Sequence, residues 1–340
     1  MNRTEKADNG KKVRIYGTLG PSCKDADTLR RMIEEGMSGV RLNLSHTMLD
    51  EASELIEAFH NAALSCGATP ELLIDLQGPE LRVGELNGPL TLKEGELINA
   101  QSLEFPKEAK TALLSAPRGT GILLDDGKLL LEKEEANLLR VVRGGILESR
   151  KSVAIQHISI ATPALTQADR RNIARAKEFG VTAVMQPFVR GKADLIEVRG
   201  ALEASGCKDI RLLAKIENSE GMAALSEIIP FCDEIVIARG DLGNSMPLWE
   251  LPAAQKRIAE VCRESGMAFM VVTQMLDSMM RRPVPTRAEV SDIFNAVLDG
   301  ASSVMVTGET AVGKYPVDTI LYLVKTAREA ERFIAESIGN

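Results

Sequence analysis

Lys215-Ile216-Glu217 sets a cation and a carboxylate two positions apart in an apolar run, a spacing that points both to one side of a β-strand. Asp241, within Gly240-Asp241-Leu242-Gly243, offers a second hard oxygen donor. Two such carboxylates suit Mg²⁺ when a substrate supplies further oxygens. The glycines beside Asp241 let backbone N–H groups approach an anion. Charged and hydroxyl residues also follow other apolar runs: Arg41, Asn43 and Ser45, Asp75 with Glu80 and Arg82, Arg190, Arg239, Thr273 and Glu309. The plainer reading of Lys215 and Glu217 is an ion pair inside a barrel, and single strand-end charges are commonly solvated or capping groups. Convergence from many segments favours a catalytic mouth. Gly308 to Lys314 fits G-x-x-x-x-G-K, but Tyr315 stands where a phosphate-binding loop needs a Ser or Thr hydroxyl, so a loop closing a barrel mouth is expected there. His46, His60 and His157 lack metal-ligand spacing, and of the three His46 falls nearest the mouth.

The elements that must position these residues alternate. Candidate strands are Val13–Leu19, Gly39–Leu44, Leu72–Asp75, Thr182–Phe188, Ile210–Ile216, Glu234–Ala238, Ala268–Thr273 and Ser303–Val306. Amphipathic helices are predicted over Asp27–Glu35, Leu49–Ser65, Gln167–Phe179, Asp194–Ala204, Gly221–Ile229, Ala253–Ser265, Arg287–Leu298 and Val317–Ile338, several ending at glycine. Eight strand–helix units predict an α/β fold, the (β/α)8 TIM barrel, whose active sites lie at the C-terminal ends of the strands. Between Gly84 and Ile155 the rhythm changes to short strands joined by turns at Glu94-Gly95, Asp126-Gly127 and Gly144-Gly145. The expected organisation is a polar tail over residues 1–12, a barrel over 13–83 and 156–340, and an inserted all-β lid domain over 84–155. Leaving after the third strand, the lid should stand over the mouth.

At 340 residues the chain is long enough for a barrel carrying an insertion. Its 44% hydrophobic and 26% charged residues exclude a disordered or collagen-like chain. With 41 Lys+Arg against 48 Asp+Glu the net charge is −7 and no basic block stands out, so neither nucleic acid nor an anionic membrane is the expected partner. Five scattered cysteines with no C-x-x-C spacing argue against a disulfide framework or zinc site, and with no apolar leader or span the expected location is cytoplasmic.

Thr18-Leu-Gly-Pro-Ser22, Gly36-Met-Ser-Gly-Val-Arg-Leu-Asn-Leu-Ser-His46, Asp75-Leu-Gln-Gly-Pro-Glu-Leu-Arg82, Lys215-Ile-Glu-Asn218, Ala238-Arg-Gly-Asp-Leu-Gly243, Thr273-Gln-Met275, Pro285-Thr-Arg-Ala-Glu289 and Gly308-Glu-Thr310 occur in this order. Together they give a chain that resembles the pyruvate kinase family over nearly all of Val13 to Phe333. The resemblance implies phosphoryl transfer from phosphoenolpyruvate to ADP, giving pyruvate and ATP. It implies Glu217 and Asp241 as ligands of Mg²⁺ (or Mn²⁺), and Asn43, Ser45 and Asp75 as ligands of K⁺. It implies Lys215, Arg41 and Thr273 as catalytic residues, Gly240 among the substrate-binding ones, and Arg82, His46 and Lys151 on the nucleotide side. A homodimer through barrel contacts is a further expectation, and so is the absence of control through the family's C-terminal regulatory domain. The chain departs from the family's S-H-G at Ser45-His46-Thr47, from S-F-[IV]-R at Pro187-Phe-Val-Arg190, and from the lid exit G-V-N-L-P-G at Ser152-Val-Ala-Ile-Gln-His157. The alternatives are another phosphoenol or 2-oxo acid substrate at the same metal site, and a non-catalytic paralogue.

Overall fold

The computed structural model describes residues 12–338 except His46, Asp126, His157, Ser159 and Ala161. Eight parallel strands close a barrel: β1 (Arg14–Thr18), β2 (Gly39–Asn43), β3 (Glu71–Asp75), β4 (Ala183–Gln186), β5 (Arg211–Ile216), β6 (Glu234–Ala238), β7 (Phe269–Val272) and β8 (Ser303–Met305). Each pairs with its neighbours in order, and β1 closes the ring on β8 with Arg14 opposite Ser303. The fold is the expected (β/α)8 barrel with an insertion after β3.

The period of two along each strand divides its residues between two environments. Val40 and Leu42, Leu72 and Ile74, Leu212 and Ala214, and Ile235 and Ile237 point outward into the main core beneath the helices. Tyr16, Leu73, Met185, Leu213, Val236, Met270 and Met305 point inward and fill the barrel as a separate buried cluster. Inward positions below and above that plug are polar. At the base, Arg14 bonds Glu71 and Glu234, Arg211 bonds the same two carboxylates, Tyr16 donates to Glu71 and Ser303 to Glu234. At the mouth the same alternation delivers Arg41 and Asn43 on β2, Asp75 on β3 and Lys215 on β5.

Most helices lie where the 3.6-residue pattern predicts them. Arg287–Leu298 opens with a reciprocal capping box between Thr286 and Glu289. Leu251–Ser265 ends on Gly266 at φ 65°, a conformation that favours glycine. The single helix expected over Gly221–Ile229 is instead two short ones, Ser219–Ala223 and Leu225–Ile228, divided at Ala224 (φ −89°, ψ 7°). Asn218 caps the first by accepting from the Gly221 N–H, which starts the turn ahead of the apolar stripe on which the expectation rested.

The insertion builds a five-stranded antiparallel sheet (Val153–Ile155, Gly121–Leu124, Leu129–Lys133, Leu138–Arg143, Leu97–Asn99) and a two-stranded one (Leu90–Leu92 with Gly145–Leu147). It is not made of strands alone: Lys107–Ser115 is a helix burying Ala109, Ala112 and Leu113, a stripe too narrow to stand out in the sequence. Lys133, 6% exposed, holds that helix by donating from Nζ to the carbonyls of Leu113, Leu114 and Ala116 at its C-terminal end. The insertion packs a core of its own around Leu103, Phe105, Ile122, Leu131 and Leu139. Its two connecting strands pair with each other, Val83 N–H to Lys151 and Val153 N–H to Leu81, with Arg82 bridged to Ser152. All five cysteines are free thiols. Among the described residues no helix is long and apolar enough to cross a membrane.

Candidate active site

Lys215 is the hub of the mouth. Its Nζ lies 3.1 Å from Asp75 Oδ2 and 3.0 Å from Glu217 Oε1. Arg41 approaches the same Asp75 oxygen through Nη2 at 2.7 Å and Nε at 2.8 Å. Burial alone would depress the Lys215 pKa, but attraction to Asp75 and Glu217 outweighs it and holds the ammonium above its ordinary value. Asp75 is pushed up by burial and pulled further down by Lys215 and Arg41, so it stays ionised. Glu217 moves the other way, to about 7: burial dominates, Lys215 opposes it, and the negative charges of Asp241 and Asp75 add to it. Three carboxylates around one ammonium and one guanidinium make a site that favours a further cation.

The backbone around this hub is bent to fit. Phe188 has φ 53°, and its N–H donates to Glu217 Oε2 at 2.7 Å. Thr273 and Gln274, directly after β7, have φ 81° and 54°. A β-branched residue at positive φ is an outlier, and each such residue costs on the order of 1–3 kcal/mol, held in place by surrounding structure. Gly78 (φ 63°) lies against the Pro187 ring, where a Cβ would collide. The two N–H groups before the lid connector, of Gln77 and Gly78, are both tied to buried Asp169, a residue the sequence motifs passed over.

A cavity of about 740 Å³ gathers Arg41, Asn43, Ser45, Asp75, Lys215, Gly240, Asp241 and Thr273 from the barrel with Arg82 and Lys151 from the lid connectors. Glu217 is enclosed beneath it and lines an adjoining cavity of about 440 Å³ together with Asp241. Asn43 Oδ1 accepts from the Ser45 N–H at 3.1 Å. Arg82 is paired with Glu80, and Lys151 lies 3.2 Å from Asp125 Oδ1. His46 lies outside the described residues. Asp125 and Lys128 at the lid's tip also face the larger cavity; the Asp-Asp-Gly run around Asp125 read in the sequence only as a turn.

Three residues expected at the mouth have other duties. Glu309, 1% exposed, does not line either cavity; it accepts from the N–H groups of Leu276 and Thr307 and so clasps the loops after β7 and β8. With Thr310 bonded to Thr18, this makes the G-x-x-x-x-G-K stretch a closing loop of the barrel. Arg190 lines the smaller cavity, but its guanidinium is engaged by Asp194 and by the carbonyls of Ile160 and Thr162. Arg239 lines the cavity, but its guanidinium is engaged by Asp292 and by the Thr273 carbonyl. A strand-end position fixes where a side chain starts and leaves open which partner it takes.

Among the described residues no group of three or more His, Cys, Asp or Glu side chains is placed to hold a metal. Glu217 and Asp241 are two hard oxygen donors with compatible charge, and a pair of carboxylates completed by substrate oxygens is the donor set that Mg²⁺ accepts. The residues present therefore fit a divalent ion shared with a substrate.

Residues 10–320 match the family "Pyruvate kinase, barrel domain". Pyruvate kinase of Geobacillus stearothermophilus is 37% identical over 336 residues, covering 95% of this chain and 57% of that protein. Pyruvate kinase of Clostridium perfringens is 34% identical over 333 residues (94% and 70%), and that of Thermococcus litoralis 36% over 340 (96% and 71%). The chain thus spans between about half and three quarters of the length of these relatives. A barrel of this strand order, with its insertion after β3 and a matching family over nine tenths of its length, leaves one conclusion: the chain belongs to the pyruvate kinase family.

Proposed function

We infer that the chain transfers the phosphoryl group of phosphoenolpyruvate to ADP, giving pyruvate and ATP. The observation that carries this reading is the enclosed Lys215, bound to Asp75 and Glu217 and facing one cavity with Arg41, Asp241 and Thr273. Such a transfer asks the protein for positioning and for positive charge where oxygens become anionic. The bond from phosphorus to the enol oxygen breaks as one forms to a terminal oxygen of ADP. Lys215 and Arg41 both line the cavity and would stabilise the phosphoryl group and the enol oxygen. The enolate then takes a proton at C3 to become pyruvate, and Thr273, held over Gly240, orients the water that supplies it. Glu217 and Asp241 would hold Mg²⁺, which when bound draws charge from the substrate's carboxylate and enol oxygens. Asn43, Ser45 and Asp75 would supply oxygens for K⁺. Arg82 and Lys151, brought across from the paired lid connectors, serve the nucleotide phosphates.

A second reading has an observation of its own. The 440 Å³ cavity beside Glu217 and Asp241 is walled by Leu81, Val153, Ile155 and Phe188, and the unusual lid-exit residues from Ser152 to Gln156 line it. A phosphoenol or 2-oxo acid with a larger apolar substituent at C3 would extend into it.

Pyruvate formation from phosphoenolpyruvate and ADP with Mg²⁺, with and without K⁺, tests the first reading, with Asp241→Ala as the contamination control. Turnover lost in the control is expected. No turnover in the wild type, with turnover of a C3-extended substrate, transfers the assignment to the second. Dimerisation through the barrel is proposed alongside, and a strictly monomeric species by sedimentation at micromolar concentration overturns it.

A further inference from the structure

The Thr273 hydroxyl owes its place to a chain of contacts that begins outside the cavity. Arg239 donates from Nε at 3.2 Å and Nη2 at 2.6 Å to the Thr273 carbonyl. Its Nη1 is gripped by both carboxylate oxygens of Asp292, at 2.9 and 2.7 Å, and Nη2 also meets Met275 Sδ at 3.0 Å. Asp292 belongs to the helix Arg287–Leu298 and lines neither cavity. On the other side, the Thr273 side chain rests on Gly240, where an added Cβ would come within 3.3 Å of Cγ2. Between these two restraints lies a residue at φ 81° followed by another at φ 54°, a conformation that β-branched residues avoid unless neighbours impose it.

We propose that Asp292 is a positioning residue for Thr273: by fixing the Arg239 guanidinium it clamps the Thr273 carbonyl and so holds the hydroxyl where it orients the water that protonates the enolate. The inference rests on the reading of Thr273 given above. A guanidinium whose Nη1 is held by both oxygens of one carboxylate, while Nε and Nη2 meet one carbonyl, is fixed from two sides, so the carbonyl between those two donors resists turning. Without Asp292 the guanidinium is free to pivot, and the strained peptide relaxes toward ordinary φ.

The test is a double-mutant cycle of Asp292→Ala and Thr273→Val, with Asp292→Asn as the milder change, read in pyruvate formation and in solvent-deuterium exchange into the pyruvate methyl group. Asp292→Ala is expected to lower kcat and exchange at least tenfold, with KM for phosphoenolpyruvate within twofold, and to cause no further loss in the Thr273→Val background. The Thr273 methyl resonance should shift in both Asp292 variants. Wild-type kcat in Asp292→Ala, or an undiminished tenfold loss in the Thr273→Val background, overturns the proposal. If Asp292→Ala does not fold, the same cycle with Asp292→Asn decides it. A wild-type protein without pyruvate formation overturns the reading of the reaction and leaves the methyl resonance to decide the clamp: no shift rejects it.

Discussion

Lys215 carries more of this site than any other side chain, because its charge is held in a place with little water. An ammonium bridging Asp75 and Glu217 in an enclosed mouth is preorganised, as the proposed transfer, in which negative charge grows on a phosphoryl or enol oxygen, would require. Removing one such contact typically costs about 2.7–4 kcal/mol of transition-state stabilisation. Lys215→Met should therefore lower kcat by two to three orders of magnitude while circular dichroism stays unchanged. The fold should survive because Asp75 keeps Arg41 and because Glu217, whose pKa burial already raises, is more readily neutralised by a proton once Lys215 is gone. Near-normal turnover in the variant would remove Lys215 from the mechanism.

At the scale of elements, the period of two along the strands does three jobs at once. On β3, Glu71 joins the base cluster, Leu73 the interior plug and Asp75 the mouth; on β5, Arg211, Leu213 and Lys215 repeat the series. Helices contribute by their ends. Glu289 caps the helix Arg287–Leu298 and also accepts from Ser278 N–H at 2.7 Å and Oγ at 2.6 Å, tying the loop after β7 to the helix that carries Asp292. Burial pushes the Glu289 carboxyl up, but the hydrogen bonds from Ser278 and Thr286 outweigh it and hold its pKa below the ordinary value. A depressed folded-state pKa means that its contribution is present above the ordinary value and is lost as pH falls through the folded one. Glu289→Gln should lower stability at neutral pH by about 1 kcal/mol, the usual worth of a cap, and the difference from wild type should shrink on acidification. Thermal unfolding of both proteins across that range is the check; a gap that widens toward low pH rejects the assignment.

For the whole molecule, the base cluster is a stability device at the far end of the barrel from the chemistry. Glu234 is fully enclosed and is held by Arg14, Arg211 and Ser303. Removing one partner of a buried ion pair typically costs about 3–5 kcal/mol, and without Glu234 both Arg14 and Arg211 would depend on Glu71 alone. Glu234→Gln should lower the urea midpoint sharply and leave KM and kcat of the folded fraction near wild type. An equal loss of activity and stability would mean that base and mouth are coupled through the apolar plug.

Strand–helix alternation, the inserted segment and Lys215, Glu217 and Asp241 as a cation–carboxylate site were all legible in the chain, because they follow from periodicity and from local residue type. The insertion's helix, Lys107–Ser115, was not, since its short apolar stripe is completed by Lys133, a residue beyond its own end. Nor were the fates of Arg190, Arg239 and Glu309. The sequence places each of them at a strand end, but the partner that takes it, Asp194, Asp292 or a neighbouring loop's N–H groups, is chosen by how loops and helices pack around the mouth. The sequence thus determined the fold class, the family and which charged side chains stand at the strand ends. Which charges face the cavity was decided only by tertiary structure, because a buried charge must find a partner, and partners such as Asp292 for Arg239 and the Leu276 N–H for Glu309 lie tens of residues away.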